Sequence, residues 1–186
     1  MVDIGQTQLE AFAASSTAYV FAASNAGAGS DALAYYVPAS VPLVRPFDLD
    51  ASFRIATTAA GFVLFGRSAA DRPALQVLGT TAMPTSAVIE LPNSGALVSA
   101  ALASSATGVR LFTSGNLGAG DTRQKLFTLE LDPAGNIIEP ISELGVVRWQ
   151  AASDAPAGAV RPGGYIIAMP LDDNGRRVVR LIQICT

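Results

Sequence analysis

A chain of 186 residues, half of them hydrophobic, is long enough for one domain with a sizeable core, yet only 15% of its residues are charged, against roughly 25% in an average soluble domain. The net charge of −3 comes from scattered carboxylates set against eleven arginines and one lysine, Lys125, with no basic run beyond Arg176-Arg177, so the clustered cations that nucleic acid requires are missing. No apolar run approaches the roughly 18 residues that span a bilayer, and the absence of histidine excludes Ser-His-Asp and Cys-His catalysis and removes the commonest zinc ligand.

Residues Met1 to Gln6 carry an acid and no basic stretch, so no secretory signal peptide is read and synthesis in a cytoplasm is expected. Ile4, Leu9, Phe12 and Ala13 have an imperfect helical spacing, which predicts an N-terminal arm or short helix over residues 1–16. From residue 17 to 186 the composition is that of one β-repeat domain. Ala18 to Ala22 and Leu33 to Val37 read as strands, and Pro38, Pro42 and Pro46 then leave only short extended pieces suited to a sheet edge. Phe53 to Thr57 alternates, Gly61 to Gly66 is fully apolar between glycines, and Ala74 to Gly79 follows. The pattern of glycine, apolar residue and trailing aromatic in Gly61-Phe62 to Phe65 returns in Gly108 to Phe112 and Gly145 to Trp149, with Ala18 to Phe21 a looser relative.

A second mark returns every forty residues: Leu91-Pro92-Asn93-Ser94-Gly95, Leu131-Asp132-Pro133-Ala134-Gly135 and Leu171-Asp172-Asp173-Asn174-Gly175, each between two apolar runs. Read as strand, turn and strand, it predicts stacked antiparallel units, because one hairpin cannot bury its apolar face alone. The middle copy is the best specified. Phe127, Leu129 and Leu131 alternate with Thr128, Glu130 and Asp132; Asp132 can accept from backbone amides, Pro133 presets its φ, and Gly135 can take the left-handed conformation that closes a type I turn with a bulge. Gly95, Gly135 and Gly175 are thus expected as equivalent structural turns. Val178, Val179, Leu181, Ile182 and Ile184 predict a largely buried last strand, with the single Cys185 as a small buried hydrophobe.

The fold class expected is all-β, with antiparallel units of about forty residues arranged as a propeller or a two-sheet sandwich. Over Gly61 to Thr186 the Leu-Asp-Pro-Ala-Gly hairpin resembles the tail of a blade in propeller-type repeat proteins. The sequence departs from the named families. There is no Gly-His mark, Trp149 is followed by Gln150 rather than Asp, and the Asp173-Asn174-Gly175 segment lacks the flanks of a sialidase-type Asp box.

Carboxylates are the reactive groups that remain. Glu90 and Glu130 both precede the repeated turn, so in a closed repeat they can face one another as a glycosidase pair, whereas the plainer reading puts both on the wet face of alternating strands. Lys125 reads as a solvated strand end, and the oxygens of Asp172, Asp173 and Asn174 as turn formers rather than calcium ligands. No cofactor or metal is expected. A glycan site would draw on Trp149, Arg148 and Tyr165. The preferred reading is a non-catalytic structural protein that assembles with copies of itself or with other proteins, such as a capsid decoration or tail-associated virion component. A carbohydrate-binding module is the alternative, and a carboxylate-based glycosidase the third reading.

Overall fold

The computed structural model describes residues 7–25, 32–36, 43–70, 72–91, 96–105, 107–116, 125–146, 157–173 and 175–185. The architecture is all-β, and the described residues contain no helix. Among the described residues, fifteen strands form four antiparallel meanders: β1 (Thr7–Ala14), β2 (Tyr19–Asn25), β3 (Ala32–Tyr36) and β4 (Leu43–Pro46); β5 (Asp50–Thr58), β6 (Gly61–Arg67), β7 (Pro73–Gly79) and β8 (Ile89–Glu90); β9 (Ala96–Ser104), β10 (Val109–Asn116), β11 (Lys125–Leu131) and β12 (Ile137–Val146); and the three-stranded sheet β13 (Ala157–Arg161), β14 (Gly164–Asp173) and β15 (Arg176–Cys185). Within each sheet, spatial order follows chain order, as hairpin connections require.

The chain divides into two compact units, Met1–Leu91 with Pro133–Gly135, and Pro92–Asp132 with Asn136–Thr186. In the first, the sheets β1–β4 and β5–β8 bury a shared core of Ala13, Val20, Phe47, Leu49, Phe62 and Leu78, and the Thr57 hydroxyl donates to the Ala14 carbonyl at 2.8 Å. In the second, Phe112 and Leu126 pack against Tyr165, Ile167 and Met169 of β14, and Gly158 of β13 lies so close to β9 that an added Cβ would stand 3.5 Å from the Cβ atoms of Ala101 and Ala103. β6 and β7 are buried on both faces, which is why Gly61 to Gly66 reads as an unbroken apolar run.

Three of the four sheets share a turn between first and second strands that the repeat marks did not point to. Ser15, Thr58 and Ser105 each open it, and their hydroxyls accept the amide two residues on, from Thr17, Ala60 and Thr107 at 3.2, 3.1 and 3.2 Å. Ser15 and Ser105 also close it with N–H to carbonyl bonds to Ala18 and Gly108, both 2.8 Å. The residue after the turn begins the second strand under the third: a Cβ on Gly61, Gly108 or Gly164 would meet the carbonyl oxygen of Leu78, Leu131 or Ile184. This close approach, repeated in three sheets, is the physical basis of the Gly61 and Gly108 marks.

Several expectations change. The segment Thr7–Ala14, expected as an arm or helix, is strand β1, because pairing with β2 overrides a weak helical spacing. Of the three hairpin marks, Gly95 lies outside the described residues, and the strands on either side of it, β8 and β9, belong to different sheets. Gly135 joins the third and fourth strands of its sheet with φ +90°, and Gly175 joins β14 and β15 with φ +79°. Gly135 and Gly175 are therefore not equivalent positions of one unit. The turn chemistry at the middle copy is as expected, with the Asn136 amide donating to Asp132 Oδ1 at 2.8 Å and the Asp132 amide donating to the Asn136 carbonyl at 2.9 Å across Pro133 to Gly135. Gly145, taken as the start of an aromatic-tipped strand, falls near the end of β12 instead. β15 is exposed along most of its length rather than buried, and so is Cys185, because the strand lies at a sheet edge.

Candidate functional site

The register of the third sheet sets Ala103 (β9), Arg110 (β10), Glu130 (β11) and Glu139 (β12) directly opposite one another in a single row. Directly opposed residues share a face. Arg110 Nη2 contacts Glu130 Oε2 and donates to Glu139 Oε2 at 2.8 Å, while the Arg110 guanidinium lies 5.1 Å from the centroid of the Tyr165 ring on β14. Tyr165 in turn meets Phe112 edge to face, with centroids 5.5 Å apart. The Arg110 and Glu130 side chains retain 9% and 13% of their exposure, and that of Glu139 retains 57%, so the row runs from a buried cation to a solvent-facing acid.

Burial disfavours the charged guanidinium, but the hydrogen bond and charge of Glu130, joined by Tyr165 and the charge of Glu139, outweigh it and hold the Arg110 pKa above its ordinary value. Arg110 Nε is buried with no hydrogen-bond partner. Two acids on one arginine make an ionic triad that anchors the sheet. Glu130 is its buried counter-ion, which removes it from the wet face where the alternation placed it.

Other polar groups are separate from this row. In the first unit, Glu90 accepts from Ser68 Oγ at 2.8 Å and from Arg72 at 3.3 Å. The buried Gln76 and the exposed Asp48 exchange two hydrogen bonds, of 3.0 and 3.3 Å. Glu90 lies on β8, the fourth strand of its sheet, and Glu130 on β11, the third of its own, so the repeat gives no reason for the two to face one another. Lys125 donates to Glu143 at 2.8 Å across β11 and β12.

Tyr165 is buried beneath Arg110, and its ring is not the exposed platform that a glycan site needs. Arg148 and Trp149 lie outside the described residues, as does Asn174. A cleft of about 430 Å³ in the second unit, walled by Leu126, Leu144, Ile182 and Ile184 with Arg180 and Gln183, offers neither an acid nor an aromatic side chain. Among the described residues, no group of three or more His, Cys, Asp or Glu is placed to hold a metal ion, and no helix is long and apolar enough to cross a membrane.

No protein-family model matches the chain, and no curated protein matches it in sequence. Solved structures do. A thermostable family-43 glycoside hydrolase is 10% identical over 95% of this chain and 69% of its own, with a TM-score of 0.53. A family-43 endo-arabinanase from Bacillus licheniformis is 16% identical over 92% and 71%, with a TM-score of 0.45, and a Cellvibrio cellulosa α-L-arabinanase complexed with arabinohexaose is 11% identical over 93% and 72%, at 0.40. At such identities the likeness is one of fold: antiparallel β-sheets repeated along the chain, as in a glycoside hydrolase. This finding corrects the reading of a non-catalytic virion component. The capsid-decoration and tail-associated roles rested on the under-charged composition, and the solved structures that this fold resembles are glycoside hydrolases.

Proposed function

We propose that the chain is a glycoside hydrolase working through carboxylates. The observation that carries this reading is the fold shared with a family-43 glycoside hydrolase over 95% of the chain. Composition agrees with it on chemical grounds. Glycosidic bonds are cleaved by two acids, one protonating the leaving oxygen and one acting as nucleophile or as base for water, and neither role calls for histidine, which this chain lacks. Most other hydrolytic machinery does call for it. Glu130 is Arg110's buried partner, so the catalytic pair in this reading lies among the chain's other Asp and Glu residues.

The test is release of reducing ends from aryl glycosides of pentoses and hexoses and from plant polysaccharides, followed by replacement of each remaining Asp and Glu with its amide. The expected result is cleavage of at least one substrate, lost by on the order of 10²–10⁴-fold in one or two amide variants that stay folded. A folded chain that cleaves none of them, or whose cleavage survives every amide replacement, overturns the reading; binding without cleavage makes the protein a lectin instead.

A further inference from the structure

The face of β7 that carries Ala74 and Leu78 belongs to the shared core of the first unit, and alternation puts residue 76 on that same face. An apolar side chain is what the position calls for. It holds Gln76, which is 0% exposed, and burying an amide among hydrocarbon is unfavourable unless its polar atoms are partnered. Both bonds go to one residue. The Gln76 side-chain nitrogen donates to Asp48 Oδ2 at 3.0 Å, and the Gln76 side-chain oxygen accepts from the Asp48 backbone N–H at 3.3 Å. Asp48 is exposed, in the connection from β4 to β5, between the core residues Phe47 and Leu49. A core position is thereby given over to fixing where one solvent-facing carboxylate stands.

Of the acids whose side chains the structure describes, Glu90 faces Arg72, Glu130 and Glu139 face Arg110, Glu143 faces Lys125, and Asp132 holds its own turn through Asn136. Asp48 alone among them is held by a neutral group. A carboxylate that faces a cation has its charge already answered, whereas one held by an amide and open to solvent keeps that charge for a reacting water. We propose that Asp48 is the base of the catalytic pair and Gln76 its positioning residue, an assignment that rests on the glycoside hydrolase reading. Asp48 takes a proton from a water molecule as the water oxygen bonds to the anomeric carbon. The bond from that carbon to the leaving oxygen breaks, and the leaving oxygen keeps the electron pair and takes a proton from the second acid. The clamp settles the orientation of the base before the reaction, which is where a buried supporting residue contributes to rate.

Cleavage of an aryl glycoside by the parent chain and by Asp48→Asn, Asp48→Gly and Gln76→Met tests it. In Asp48→Asn, whose side-chain oxygen can still accept from Gln76, kcat should fall on the order of 10²–10⁴-fold with an unchanged melting curve. Added azide, an anion that attacks without giving up a proton, should restore part of the rate of Asp48→Gly and yield a glycosyl azide. Gln76→Met should lose about tenfold or more in kcat at unchanged KM without losing stability, since an apolar residue suits the core better than an amide. An Asp48→Asn variant as active as the parent, an Asp48→Gly variant that forms no glycosyl azide, or a Gln76→Met variant that loses stability and keeps its kcat would each overturn the assignment and leave the glycoside hydrolase reading standing. A folded parent chain that cleaves no glycoside overturns that reading and the assignment together.

Discussion

Replacing Glu130 with glutamine is the sharpest probe of the Arg110 row. The change keeps volume and shape but takes away the charge that faces a guanidinium retaining only 9% of its side-chain exposure. Removing one partner of a buried pair typically costs about 3–5 kcal/mol, because the other charge is left buried without compensation. Here Glu139 stays in contact at 2.8 Å and the Tyr165 ring still faces the guanidinium, which lowers the expected cost to about 2–3 kcal/mol. For a chain of this length that corresponds to a fall in melting temperature of about 4–12 °C. Glu139→Gln, at a side chain 57% exposed, should cost below about 1 kcal/mol. Replacing Arg110 and Glu130 together with Met and Leu should restore most of the loss, since an apolar pair of similar volume carries no desolvation penalty. Urea denaturation of the four proteins gives the comparison directly. Equal midpoints for Glu130→Gln and Glu139→Gln, or a double variant no better than the single one, would refute the idea that the row is a buried ion pair.

Further outcomes follow from the same geometry. Gly135→Ala should destabilise by well over about 1 kcal/mol, because φ is +90° and the added Cβ meets the Val77 side chain, whereas Gly175→Ala, at φ +79° with nothing within 4 Å, should cost only about 1 kcal/mol. Chemical denaturation that ranks them the other way rejects the two turn assignments. Gly108→Ala should cost more than either, at about 3 kcal/mol, since the obstacle is the Leu131 backbone carbonyl and cannot turn aside; a midpoint close to the parent's would contradict this. Arg110 has its pKa raised on folding, so the stability it contributes is complete below its unfolded pKa and is lost only as pH climbs through the still higher folded value. Arg110→Lys moves that loss down to the lysine range, so the gap in stability between variant and parent should widen above about pH 10. A gap independent of pH would show that the charge at this position does not matter.

The antiparallel sheets were legible where alternation and turn chemistry agree. Phe127, Leu129 and Leu131 lie on β11 and the Asp132 to Gly135 turn follows, because a hydrogen-bonding aspartate, a proline and a glycine at fixed offsets specify one local geometry. The repeat itself was read from the wrong mark. Leu91 to Gly95 has the same turn-forming residues, yet it leads out of one sheet into the next, and composition does not distinguish a hairpin from a crossing. The shared Ser15, Thr58 and Ser105 turn was present as a hydroxyl three residues before Ala18, Gly61 and Gly108, and aligning those three residues would have found it.

The last strand was misjudged because apolar content was equated with burial, and position at an edge is set by sheet order, which the sequence does not print. The Arg110 row was out of reach for a related reason. It depends on register between strands joined by the long connection 117–124, and only a short loop fixes register from sequence.

The pH–rate profile of glycoside cleavage tests the central claim most directly, because it reports both whether the chain is an enzyme and which groups do the work. A two-carboxylate enzyme gives a bell-shaped profile, and the acidic limb should vanish when the base or nucleophile is replaced by its amide. Folded protein that produces no reducing ends at any pH would contradict the account at its root.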